Sequence, residues 1–395
     1  MQGPITQPGT QIEASLSVRV PGKLLLAGEY AILEPGALAL VMGVNRYFYG
    51  HLKIQQRGFV LTSAQFPDLV MRGKGLEAIS DATAPEPLRF AAAAWQEVAL
   101  YLRNVQHEQR GFKTNAVAPA GQPWGLHLHL DSQLQVDAVK LGLGSSAACC
   151  VAVVAALCKV YLPDVEEDAL RRLIFQLAFL AHHRVQGSGS GADVAGCVYG
   201  SLVAYRRPAL SGVASLYRDD WPQLMLERSP WPADTAWQLD FGWTRSSASS
   251  KVLVADFEAW RQAHPKAAQE FLVQMQHATQ RLYASVQAQD LSSFCAAMSA
   301  QRQRLARLNE VMHHAPETPA LRQLIEAAEA LGGSAKFSGA GGGDCGLAWV
   351  PAAQRDALKA RWQAAGILPL DLKQDAEGTV FLMDTATALT DTVTL

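Results

Sequence analysis

Charge of one sign is what this sequence has least of. Lys and Arg number 34 and Asp and Glu 36, a formal charge of −2 at pH 7. That balance offers no basic surface for a nucleic-acid backbone and none for an anionic membrane, so any anion binding has to be local. Charged residues of both signs reach only 18%, below the ~25% of an ordinary soluble domain. With 49% hydrophobic residues over a length of 395, disorder is excluded and one large domain or two ordinary ones are expected. Long hydrophobic runs are missing as well. The longest, Ala147 to Cys158, falls short of the ~20 residues that span a bilayer. The opening MQGPITQPGTQIEAS has neither the basic start nor the apolar stretch of a signal peptide and reads as a loose leader. None of the six cysteines forms a C-x-x-C pair, which argues against structural zinc and for a reduced chain. The expectation is a cytoplasmic protein with no membrane partner. H-E-x-x-H, G-x-x-x-x-G-K-[ST], internal repeats and low-complexity tracts are all absent, excluding the metal and nucleotide sites those motifs build.

Strand and helix signals fill the chain instead. Leu16–Val20, Lys23–Ala27, Ala37–Val44 and Arg46–Ile54 look like strands separated by Pro21-Gly22 and Pro35-Gly36. A helix is predicted from about Pro87 to Asn104, and GLHLHLD at Gly125–Asp131 alternates as a strand. Ala147–Cys158 is apolar all round, the pattern of a buried helix. In the second half, Trp237–Trp243 and Gly346–Val350 read as strands, Lys251–His314 as largely helical and Ala352–Ala365 as a helix. Leu321, Leu324, Ile325, Ala328 and Leu331 keep helical spacing until Gly332-Gly333 stops them. The sum is an α+β architecture, with a break expected near Leu226–Asp234, where prolines and tryptophans interrupt the pattern.

The sharpest local signal is Leu141-Gly142-Leu143-Gly144-Ser145-Ser146-Ala147, between a strand region and the buried helix. Glycines admit close backbone approach, Ser145 or Ser146 suits a helix cap, and first-turn N–H groups attract an anion such as a polyphosphate. A capped helix with no ligand is the plainer alternative. Gly142, Gly144 and Ala147 also fit G-x-G-x-x-A, but the next acid, Asp164, follows Tyr161-Leu162-Pro163 rather than a second strand, against a dinucleotide fold. A second glycine-rich loop, Gly339 to Asp344, holds more glycines than a hairpin needs, so either it packs closely against something or it is a flexible connector. A third, Gly187 to Gly191, leads into Asp193, which is either a helix cap or a carboxylate at a phosphate site near a metal or a lysine. Its Gly-Ser alternation lacks the preceding apolar strand of a nucleophile elbow. Lys23 precedes apolar Leu24-Leu25-Leu26-Ala27; it either snorkels outward or reaches an anion. Gly28-Glu29-Tyr30 forms a polar cluster after it. The histidines, His182-His183 among them, read as structural.

Three of these segments, in this order, resemble the motifs of the GHMP kinases. Pro21-Gly22-Lys23 through Gly28-Glu29-Tyr30-Ala31 resembles the first, Leu141 to Ala148 the second, and Lys336 to Gly346 (KFSGAGGGDCG) the third. Within the superfamily, GEYAILEPG at Gly28–Gly36 and VQGSGSGADVA at Val185–Ala195 are similar to segments of the phosphomevalonate kinases. So is Gly242-Trp243-Thr244 with the serines after it, although Arg245 and Ser247 stand where that family usually has Gly and Pro. The resemblance implies two domains: 1–228, ATP-binding and ribosomal-S5-domain-2-like, and 229–395, ferredoxin-like. It implies ATP with Mg²⁺ and phosphomevalonate as acceptor. Nucleotide phosphates would lie on the amides of Gly142, Leu143, Gly144, Ser145, Ser146 and Ala147, and the metal on Ser145 or Ser146. Lys23 would stabilise the transferred group and Asp193 would orient Lys23 or the metal. Ser246, Arg245, Tyr30 and Arg184, with Gly341 and Gly342, stand on the acceptor side, and Lys140 adds charge beside the loop. A monomer or homodimer without nucleic-acid or membrane partners is expected. Rivals are a GHMP kinase with an alcohol acceptor, such as mevalonate or a sugar, and a non-catalytic nucleotide sensor on the same fold.

Overall fold

The fold comes from a computed structural model that describes residues 15–108, 124–136, 139–187, 189–211, 216–217, 221–229, 231, 236–247 and 249–383. The expected leader, Ser188, Ala248 and part of the expected break at Leu226–Asp234 lie outside the described residues.

In chain order the first unit contains β1 (Ser15–Ala27), β2 (Leu38–Gln55), β3 (Gly58–Ser63), β4 (Val70–Gly73), α1 (Arg89–Glu108), β5 (Gly125–Ser132), β6 (Gln135–Val136), β7 (Val139–Lys140), α2 (Ser145–Tyr161), α3 (Glu167–Gln186), α4 (Ala192–Tyr199), β8 (Leu202–Arg206) and β9 (Met225–Ser229). The second contains β10 (Trp237–Trp243), α5 (Ser250–Ala263), α6 (Pro265–Gln287), α7 (Leu291–Arg307), α8 (Pro319–Glu329), β11 (Ser334–Phe337), β12 (Cys345–Pro351), α9 (Arg355–Ala364) and β13 (Leu368–Leu370), followed by β14 (Val380–Met383).

β1 and β2 each join two segments that the sequence separates. Pro21 and Gly22 do not end β1; they mark a register shift against β2. A bulge inserts one residue, turns the strand and re-aims the side chains beyond it. Burial alternates from Ser15 to Val20 and is then continuous to Ala27. Past the bulge, Lys23 stays in register with Gly43 and its N–H donates to the Leu143 carbonyl at 2.9 Å. The strand that carries Lys23 is thereby tied to the glycine loop before α2. That helix is buried on every side from Ala147 on, apart from half-buried Cys149 and Lys159, as its all-round apolar sequence requires.

The second unit forms a four-stranded sheet in the order β11-β12-β10-β13, with antiparallel pairings throughout. Its elements run β-α-β-β-α-β with α9 as the second crossover, a ferredoxin-like arrangement. The eight-stranded first sheet runs β14-β1-β2-β5-β3-β4, with β8 on β2 and β9 on β8. β14 corrects the expected division at residue 229: after the ferredoxin-like unit, the chain returns and pairs Val380–Met383 antiparallel with β1. One hydrophobic core runs through both units, joining Leu24 and Val151 to Phe241, Trp243, Leu347 and Trp349.

The return is sewn in by one buried carboxylate. Asp375 Oδ1 accepts from the backbone N–H groups of Glu377 at 3.1 Å and Gly378 at 2.7 Å, and Oδ2 accepts from Tyr47 Oη at 3.1 Å. Removing it leaves the buried Gly378 N–H without its acceptor and takes the same partner from half-buried Tyr47 and exposed Glu377. Asp375→Ala is expected to cost about 3 kcal/mol, read as a lower urea midpoint without a change in the m-value.

Candidate active site

Lys23 is 6% exposed. Its Nζ lies 3.1 Å from Asp193 Oδ1. Burial works against the ammonium, but the charge and hydrogen bond of Asp193, with help from Asp344, outweigh it and lift the pKa above that of an ordinary lysine. Lys23 is therefore a fixed cation near neutral pH, and it does not snorkel. Asp193 is not a helix cap either. Gly191, in the left-handed region at φ 81°, caps α4, and Asp193 sits in the first turn. There its carboxylate faces the β1 lysine and lies at the positive end of the helix.

The loop Gly142–Ala147 wraps the same lysine. Gly144 has φ 79°, and a Cβ there would come within 2.6 Å of Lys23 Cε, so only glycine lets the loop close over the lysine stem. Gly144, rather than Ser145 or Ser146, is the N-cap of α2, and no side chain caps that helix. Its first-turn amides are left to water or to an anion. Gly142, at φ 75°, lies against Asp344, whose Cβ would be 2.5 Å from an added methyl group. Asp344 belongs to the second unit's glycine loop, and the Cys345 thiol also donates to the Leu141 carbonyl at 3.0 Å. Both glycine loops and Asp193 thus converge on Lys23.

Beside them lies a cavity of about 110 Å³, walled by Lys23, Glu29, Tyr30, His182, Ser190, Asp193, Gly339 and Ala340 among others. A larger concavity, about 620 Å³, lies between α6 and α7 among Gln274, Ala288 and Arg304. It contains none of the converging groups, so chemistry and not volume locates the site.

The acceptor-side expectations divide. Tyr30 lines the cavity, but its ring packs on Phe257 at 4.8 Å and its hydroxyl donates to the Ala340 carbonyl at 2.7 Å. Ser246 lies against the loop that carries Asp344: its carbonyl accepts from Asp344 N–H at 2.7 Å, and its hydroxyl is 3.0 Å from Thr244 Oγ1. Arg245 next to it is exposed, with φ 61°. Arg184 is not brought to the cavity. It pairs with the buried Glu97, which Tyr217 also contacts at 2.8 Å; from the same helix as His182 it points to α1. Gly341 and Gly342 also turn elsewhere. The Gly342 N–H donates to the Pro316 carbonyl at 2.7 Å, and Gly341 packs on that carbonyl. Gly339 and Ala340 form the wall instead. Lys140 is exposed on the short β6–β7 hairpin before the loop.

His182, read from sequence as structural, belongs to the site. Its Nε2 is 3.0 Å from Ser146 Oγ, and its ring stacks on Phe90 at 5.2 Å. A doublet of histidines on a helix shows only that one of them faces inward; which one depends on packing. Lys336 is the other omission, since the sequence marks it only as the edge of a glycine motif.

Burial lowers the His182 pKa to about 4. The imidazole is neutral when folded and protonates near 6.5 when unfolded, so the unfolded chain binds the proton first. The stability contribution is complete above about pH 6.5 and is lost as pH falls toward 4, roughly 3 kcal/mol over that window. Urea unfolding at pH 7 and pH 4.5 measures it, and His182→Gln is expected to remove that part of the slope.

Comparison with known proteins agrees with this geometry. The profile described as GHMP kinases N terminal domain matches residues 106–201 and that described as GHMP kinases C terminal matches residues 282–368. A phosphomevalonate kinase of Streptomyces sp. (strain CL190) is 32% identical, covering 91% of this chain and 96% of the relative. A mevalonate kinase of Thermococcus gammatolerans is 25% identical over 88% of this chain and 92% of its own length. Among solved structures, Streptococcus pneumoniae phosphomevalonate kinase in complex with phosphomevalonate and AMPPNP superposes with a TM-score of 0.71 at 27% identity, covering 91% of this chain and 99% of that one. Fold, converging loops and relatives together define a phosphotransferase. The chain belongs to the GHMP kinase family.

Proposed function

We propose that this kinase transfers the γ-phosphoryl group of ATP to 5-phosphomevalonate, giving ADP and 5-diphosphomevalonate. The observation that carries the proposal is the convergence of the uncapped α2 amides and the charged Lys23 beside a cavity between the two units. A phosphomevalonate kinase among the relatives, and a structural neighbour solved with phosphomevalonate and AMPPNP, support this acceptor over mevalonate.

An acceptor phosphate has a second pKa near 6 and is largely a dianion at pH 7. One of its oxygens attacks the γ-phosphorus as the bond to the β,γ-bridging oxygen breaks, and the electron pair leaves on ADP. The nucleophile needs no base, so the work is to hold two anions in line and neutralise them. The amides of Gly142 to Ala147 bind the nucleotide phosphates. Lys23 meets the group in transfer, and Asp193 keeps Lys23 charged and aimed. Ser246, Arg245 and Tyr30 border the acceptor. Among the described residues no three His, Cys, Asp or Glu side chains gather as a metal cage. The half-buried hydroxyls of Ser145 and Ser146 fit Mg²⁺, which takes most ligands from phosphates and water; bound there, it would neutralise charge on the β- and γ-phosphates. The nucleotide-binding unit is taken as 1–228 and the ferredoxin-like one as 229–395, less the returning β14, in a cytoplasmic monomer or homodimer.

ADP release with phosphomevalonate, mevalonate and galactose as separate acceptors tests the assignment. Turnover confined to an alcohol acceptor would overturn it. Lys23→Met is expected to lower kcat by two or more orders of magnitude while ATP binding stays within about tenfold, measured by steady-state kinetics and calorimetry. An unchanged kcat removes Lys23 from the mechanism.

A further inference from the structure

Glu29 and Lys336 are charged, almost completely buried and unused by the chemistry above. Their side chains form an ion pair with no exposed surface, between the segment after β1 and strand β11 of the other unit. Lys336 also donates to the Phe337 carbonyl at 2.8 Å. Burial raises the Glu29 pKa and lowers that of Lys336, and each is opposed by its partner. Matched apolar residues avoid that desolvation and often stabilise at least as well, so stability alone does not account for two charges here.

Their neighbours show what the pair does. Leu25 N–H donates to Ser338 Oγ at 2.9 Å on one side, and Tyr30 Oη donates to the Ala340 carbonyl on the other. Together these contacts stitch residues 25–30 to residues 336–340, and both strips supply the cavity wall through Glu29, Tyr30, Gly339 and Ala340. A hydrophobic contact lets two surfaces slide. A buried ion pair has one low-energy register, because any other strands a charge.

We infer that Glu29 and Lys336 form a positioning pair, a register pin that sets the two walls of the phosphoryl-transfer cavity against each other. The inference rests on the kinase reading for its kinetic readout only. In Glu29→Gln/Lys336→Met, which removes both charges at similar volume, the melting temperature is expected to stay within about 3 °C of wild type. The kcat with phosphomevalonate is expected to fall about tenfold or more, with the KM for ATP within about threefold, as for reacting groups moved slightly apart. Amide exchange of residues 28–33 and 336–340 quickens. Lys336→Met alone strands the carboxylate and is expected to melt about 5 °C lower or more. Wild-type kcat and exchange in the double variant overturn the inference. If that variant does not fold, Glu29→Asp, which keeps both charges and shortens the reach, is expected to melt lower and to show the same fall in kcat and quickened exchange, and wild-type kcat and exchange in it overturn the inference. If the wild type turns over neither phosphomevalonate nor mevalonate, the acceptor assignment fails, and amide exchange in the same variants still decides whether the pin exists.

Discussion

A lysine ammonium taken out of water stays charged only where other groups replace its hydration. Lys23 meets that condition through Asp193, with Asp344 adding to the field, and much of the surrounding structure follows from it. Just past the bulge at Pro21-Gly22, the Lys23 N–H bonds to Leu143. Gly144 lets the loop close over the lysine stem. Each feature is costly by itself: a register shift in a strand pair, a buried charge, a helix with no side-chain cap. Together they leave a cation and a row of N–H donors on one spot, and a polyphosphate satisfies both.

The second unit brings a boundary more than it brings chemistry. Its glycine loop approaches the first unit so closely that Asp344 rests on Gly142 and Cys345 bonds to Leu141. Glycine surplus in that loop is explained by packing: Gly341 and Gly342 meet Pro316, and Gly339 and Ala340 face the cavity. Because β14 returns to pair with β1 and one core runs through both sheets, the two units hold a common cavity and do not behave as beads on a linker. For the proposed transfer between two mutually repelling anions this matters, since the rate depends on how well their distance is fixed before the bond forms.

His182 shows how such a site stays organised without adding charge. A protonated imidazole beside Lys23 would compete with it for Asp193. Burial keeps the ring neutral, so it serves as a hydrogen-bonding partner for Ser146 and a stacking surface for Phe90.

Local periodicity and local chemistry made much of this legible in the sequence. Trp237–Trp243 as a strand, the helix buried all round before Tyr161 and the glycine loop at its start rest on neighbours within a few residues, whose geometry the backbone imposes directly, whereas Lys23 and Asp193 are linked in the sequence only through the family resemblance. What depends on distant partners was decided only by the tertiary structure. Arg184 and His182 are two positions apart on one helix, yet one goes to Glu97 and the other to Ser146, because the elements packed on α3 differ on its two faces. Gly342 spends its amide on Pro316, and Val380–Met383 returns to a strand that begins at Ser15. The pairing of Glu29 with Lys336 across 307 positions has no local signature at all. Sequence patterns state what each segment prefers to bury or turn; which buried charge finds which partner is settled when the sheets close, because only then is water removed and only then does an unpaired charge cost what it does.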